Sequence, residues 1–207
     1  IGPYLLPHII PQLRTSAPKM PLSIEENFTA NLRLRLREGQ LDALIIALPF
    51  NETDVLTKPL YDEPFDILLP AQHPLAAQKD ISEQELSAET LLLLGQGHCF
   101  RDQVVEAFPN LMHLNYQSNR LQKTFEGSSL ETIRYMVASG AGISIFPCTS
   151  LSNHDESLFR IKDLANPTPT RKVALAWRKS FPRKEVLERF KQSILDIEIP
   201  CTMRLTS

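Results

Sequence analysis

Cys99 stands just past the turn Gly95-Gln96-Gly97-His98, between an apolar run from Thr90 to Leu94 and a helical pattern from Phe100 to Phe108. A thiol at a helix start meets the positive end of the helix dipole, and His98 and Arg101 can add further positive charge. Such surroundings stabilise a thiolate and make it a nucleophile. The competing reading of Cys99 is a small, inert, buried hydrophobe. Asp102, three residues on, shares the flank of Cys99 on the first helical turn. There its carboxylate could accept a proton or hold a small hydroxylic ligand, or serve only as a partner of the helix dipole. Ser128, Ser129 and Thr132 open another helical pattern, where hydroxyls and amides could cradle an organic anion or merely cap the helix. His8, His73, His113 and His154 are scattered without metal-ligand spacing. The chain carries no phosphate-binding loop, nucleophile elbow or paired-carboxylate signature, and neither a cofactor nor a metal is expected.

The elements that must position these groups alternate between helix and strand, the pattern of an α/β fold. Apolar residues at helical spacing run from Tyr4 to Ala17, with Pro3 in the first turn and Pro7 and Pro11 inside. Pro21 to Asn27 reads as a short strand. Leu32 to Arg37 alternates strictly, yet Leu32 and Leu36 share a helical face and Gly39 supplies a stop, so it reads as helix capped by Thr29 or Asn27. Leu41 to Pro49 suits a central parallel strand buried on both faces. Leu60 to Pro70 reads as a strand crossing between subdomains, and Ser82 caps a helical turn to Leu86. Ser128 with Glu131 forms a capping box for a helix with Ile133, Met136 and Val137 inward. Ile143 to Pro147 and Lys172 to Trp177 read as strands, Asn166 to Thr170 as a connector, and Arg183 to Asp196 as a helix with the apolar spacing Val186, Leu187, Phe190 and Ile194.

Composition bounds the function. The 207 residues carry 22 Lys plus Arg against 24 Asp plus Glu, a formal charge of -2. A free-standing nucleic-acid binder draws its affinity from basic excess, so this chain is not expected to grip DNA alone. Three cysteines are too few and too odd in number for a disulfide framework, which points to a reducing compartment and a cytoplasmic location. No apolar run has the length of a membrane span. The start at Ile1, already in structured-looking sequence, reads as a cut from something longer.

The motifs Ile1-Gly2-Pro3-Tyr4-Leu5-Leu6-Pro7-His8-Ile9-Ile10-Pro11, Gly95-Gln96-Gly97-His98-Cys99-Phe100-Arg101-Asp102-Gln103 and Ser129-Leu130-Glu131-Thr132-Ile133-Arg134 together resemble the regulatory domain of the LysR-type transcription regulators, in their peroxide-sensing branch. The likeness extends over essentially the whole chain. It implies two Rossmann-like α/β subdomains joined by crossover strands, arranged like a periplasmic binding protein. Residues 1–59 with 170–207 would form the first, and residues 60–169 the second, which carries the sensing cysteine. The family's winged helix-turn-helix would lie outside this chain.

The resemblance further implies that hydrogen peroxide oxidises Cys99, with Thr29, His98 and Asp102 in the peroxide pocket and Arg101 tuning the thiol. Oxidation would rearrange the region from Phe100 to Arg120 and change how subunits pair in a homodimer or homotetramer, with Leu32, Leu34 and Leu36 as candidate contacts. DNA and RNA polymerase would be partners only through the full-length protein, which would activate antioxidant genes without being an enzyme. In the family a resolving cysteine follows the sensing one by nine residues; here that position is Phe108. Other classes stay open. A small organic anion could bind between the subdomains at Ser128, Ser129 and Thr132, and an extracytoplasmic solute-binding protein or a thiol peroxidase would share parts of the pattern.

Overall fold

The structure is a computed structural model that describes residues 1–109, 126–151, 157–164 and 167–205. The expected switch residues 110–120, His113 and His154, and the start of the Asn166 connector lie outside them. The chain forms two compact units, Ile1–Glu63 with Arg171–Ser207, and Pro64–Thr170.

The first unit is a sheet with helices on both faces. Its helices are α1 (Gly2–Ser16), α2 (Thr29–Arg37) and α6 (Lys184–Leu195), and its strands are β1 (Ala43–Ala47), the first part of β2 (Val55–Pro70), β7 (Thr170–Arg178) and β8 (Met203–Arg204). In α1, Leu5, Ile9 and Leu13 recur every four residues and are buried. Pro7 and Pro11 stand on the exposed face, where the carbonyls they leave unpaired meet water, so the helix continues through both. Alternation along the strands divides the core. Val173 and Leu175 of β7 pack with α1 and α6, whereas Ala174 and Ala176 pack with Leu36 of α2 and with Leu44 and Ile46 of β1.

Two expectations fail here. Strand β1 is neither central nor parallel: it pairs antiparallel with β7 and lies at the end of the strand order, and its burial alternates. Residues 21–27 form no strand; Leu22 and Ile24 are exposed, and the Asn27 carboxamide oxygen accepts from the Phe28 amide and from Asn31. The N-cap of α2 is Phe28, with no side-chain capping bond, and Thr29 is the first helical residue.

The second unit is built on the rest of β2, which pairs antiparallel with β5 (Ile143–Pro147) and β6 (Phe159–Asp163). β5 lies parallel to β3 (Leu91–Leu94), which in turn lies parallel to β4 (Glu126–Gly127). Both β3 and β5 are buried along their whole length, as apolar runs under helices should be. Among the described residues the unit also has helices α3 (Glu83–Ser87), α4 (Cys99–Ala107) and α5 (Leu130–Ala138). Ser82 and Glu85 form a capping box on α3, and the Ser82 amide and hydroxyl hold the Glu85 carboxyl below its ordinary value. Gly127 permits close approach of α5: a Cβ there would lie 2.6 Å from Ile133 Cγ1.

Candidate functional site

Strand β3 delivers the chain to Gly95, and Gly97 turns it with φ +91°, a conformation few other residues adopt. Helix α4 then starts at Cys99 itself. Phe100, Val104 and Phe108, each four residues apart, are its buried stripe, and the Phe100 ring meets Phe65 edge-on at 5.2 Å. That anchoring leaves the Cys99 thiol half-buried at the helix N-terminus, with its sulfur free. Cys148 and Cys201 are disulfide-bonded, a departure from the sequence reading, so Cys99 is the free thiol.

Helical geometry sorts the neighbours of Cys99. Asp102 is three residues on, on the same flank, and exposed. Arg101 is two residues on, roughly 200° around the helix, where side chains do not face each other. Its Nη1 donates to the Leu94 carbonyl at 3.2 Å and to Glu126 Oε1 at 3.2 Å. His98 is the N-cap residue and is half-buried; it makes no side-chain capping bond to α4. Thr29 belongs to the other unit, at the start of α2. The structure therefore gathers His98, Cys99, Arg101 and Asp102 on one turn.

The serine cluster sits one residue out of the expected register. Ser129, not Ser128, caps α5: its Oγ accepts from the Thr132 amide at 3.1 Å and lies 3.0 Å from Thr132 Oγ1. Glu131 pairs with Arg134 at 3.4 Å instead of closing a capping box. Ser128 is exposed before the helix. The Ser129 and Thr132 hydroxyls are engaged with the helix start. Among the described residues, no group of His, Cys, Asp and Glu could hold a metal ion.

Sequence reasoning missed Glu126. It lies 25 residues from Arg101, and no local spacing connects them; only the parallel pairing that sets Glu126 beside Leu93 does.

The sequence profile described as the LysR substrate binding domain matches residues 1–197. The chain belongs to this LysR family. The hydrogen peroxide-inducible genes activator of Dickeya chrysanthemi is 34% identical over 201 residues, spanning 94% of this chain and 62% of that protein. The DNA-binding transcriptional dual regulator OxyR of Escherichia coli K12 is 33% identical over 198 residues, with the same coverage of 94% and 62%. The chain thus spans about three fifths of the length of these LysR relatives. A reduced form of OxyR from N. meningitidis matches with a TM-score of 0.93 at 41% identity, covering 100% of this chain and 95% of that one. The reduced OxyR regulatory domain from Pseudomonas aeruginosa matches at 0.83 and 53%, covering 94% and 92%. The two-unit α/β architecture is the fold of LysR-family regulatory domains.

Proposed function

We propose that this chain is the regulatory domain of a LysR-type transcription regulator that senses hydrogen peroxide through Cys99 and controls antioxidant genes. The observation that carries the reading is the free, half-buried Cys99 thiol on the first residue of α4, in a chain whose relatives include peroxide-inducible activators. The thiolate attacks one peroxide oxygen, an S–O bond forms and the O–O bond breaks. Sulfur is oxidised to sulfenic acid, and the departing hydroxide takes a proton and leaves as water. Asp102, on the flank of Cys99, supplies or relays that proton. His98 lies next to the thiol on the same turn and holds the peroxide, and Arg101, engaged with the Leu94 carbonyl and Glu126, steadies that turn.

Phe108 gives this sensor no thiol nine residues beyond Cys99. The sulfenic acid therefore persists or passes to a mixed disulfide with an external thiol, which suits a regulator better than a turnover peroxidase. The working assembly is a cytoplasmic homodimer or homotetramer that meets DNA and RNA polymerase through the longer protein. Of the three leucines considered for subunit contacts, Leu36 is fully buried and Leu32 packs partly buried against the same core, so Leu34, 55% exposed, is the most available.

Intact mass after stoichiometric peroxide tests the reading. One oxygen is expected on Cys99 and none in Cys99→Ser, with Asp102→Ala slowing the reaction about 10²- to 10⁴-fold, as for a positioned acid or base. An unmodified Cys99 would remove peroxide sensing from this chain.

A further inference from the structure

We propose that Glu126 is a positioning residue for the Cys99 thiol: through Arg101 it ties the first turn of α4 to the carboxyl end of β3. Helices α3 and α5 are each fixed at their start by a serine cap, but α4 has no side-chain cap on its N-cap residue. Among the described residues, two other contacts hold its first turn. Phe100 is one, packed on Phe65. Arg101 is the other, with Nη1 bridging the last carbonyl of β3 and the Glu126 carboxylate at 3.2 Å each.

The parallel register sets Glu126 beside Leu93, and Gly95 N donates to Gly127 O at 3.1 Å, so β4 is aligned with the turn that leads to Cys99. The carboxylate lies directly beside this turn: a Cβ on Gly95 would stand in ordinary contact with Glu126 Oε2, at 3.8 Å. The Arg101 side chain is 20% exposed and that of Glu126 48%. A pair this open contributes little to global stability. Its consequence is local: without the carboxylate, Arg101 is free to leave the Leu94 carbonyl, and the turn that presents the thiol to the helix N-terminus loosens.

The inference rests on Cys99 being the reacting thiol, but it is read with iodoacetamide, which needs no peroxide. Failure of peroxide to oxidise the wild type is therefore a separate result. Glu126→Ala is expected to slow alkylation of Cys99 about two- to five-fold, the scale of a lost helix-terminus effect. It should also speed hydrogen exchange in α4 while leaving α5 and the melting temperature nearly unchanged. Glu126→Gln, which keeps an acceptor oxygen, should recover part of the rate. In an Arg101→Met background Glu126→Ala should have no further effect, since the two act as one unit. An unchanged alkylation rate in Glu126→Ala, a Gln variant as slow as the Ala variant, or equal slowing in the Arg101→Met background would each overturn the proposal.

Discussion

Phe108 shows at the scale of one residue how packing and chemistry compete for a position. It is 4% exposed and belongs to the core that holds Phe65, Phe100 and Val104. A thiol at this position would need to reach Cys99; a phenyl ring instead fixes the end of α4 to the interior. Phe108→Ala should lower the unfolding free energy by about 3–5 kcal/mol, the usual loss for an aromatic side chain deleted from a core. Urea unfolding of the reduced protein measures it, and a loss below about 1 kcal/mol would mean that the ring is not the anchor described. The sequence identified the thiol and its neighbours by residue type and order. It could not direct Arg101, because the choice between Cys99 and Glu126 as its neighbour depends on a strand 25 residues away.

Strand β2 poses the problem at the scale of an element, because two of its polar side chains, Tyr61 and Glu63, are buried. Arg171 Nε donates to Glu63 Oε2 at 2.5 Å, with both side chains nearly inaccessible, and Tyr61 lies 4% exposed two residues before Glu63. Burial and the Glu63 carboxylate both push the Tyr61 hydroxyl well above its ordinary value of 10.0, against the opposing pull of Arg171. The folded state thus keeps a proton that the unfolded state releases. Tyr61 contributes its full stability below about pH 10, and that contribution falls as pH rises further. Absorbance titration should show Tyr61 ionising only with unfolding, whereas Tyr61→Phe should flatten the alkaline loss of stability. Ionisation of Tyr61 near pH 10 in a folded chain would contradict this.

Charge governs the whole molecule's behaviour toward nucleic acid. With a formal charge of -2, the chain has no basic excess to release counterions from a duplex. Fluorescence anisotropy with a labelled duplex at low salt should show no binding up to roughly 100 µM, the weak end of ordinary non-specific affinity. Nanomolar binding by this chain alone would relocate the DNA contact into it.

Much of this molecule was determined by local sequence. The four-residue repeat of Leu5, Ile9 and Leu13 makes α1, the Ser82 capping box makes α3, and apolar runs make β3 and, broken only by Ser144, β5. The Gly-Gln-Gly-His-Cys turn likewise places Cys99 at a helix start by local sequence alone. Each of these depends on interactions within a few residues, which periodicity and capping chemistry report directly. What pairs with what depends on the tertiary structure. The apolar run at β1 suits a central parallel strand, and only its antiparallel pairing with β7 makes it an end strand. Residues 21–27, read as a strand, form none. Ser128 and Ser129 are equivalent caps by type until the close packing of Ile133 on Gly127 sets where α5 begins. Strand neighbours and helix seating come from contacts across tens of residues, and local propensity carries no record of them.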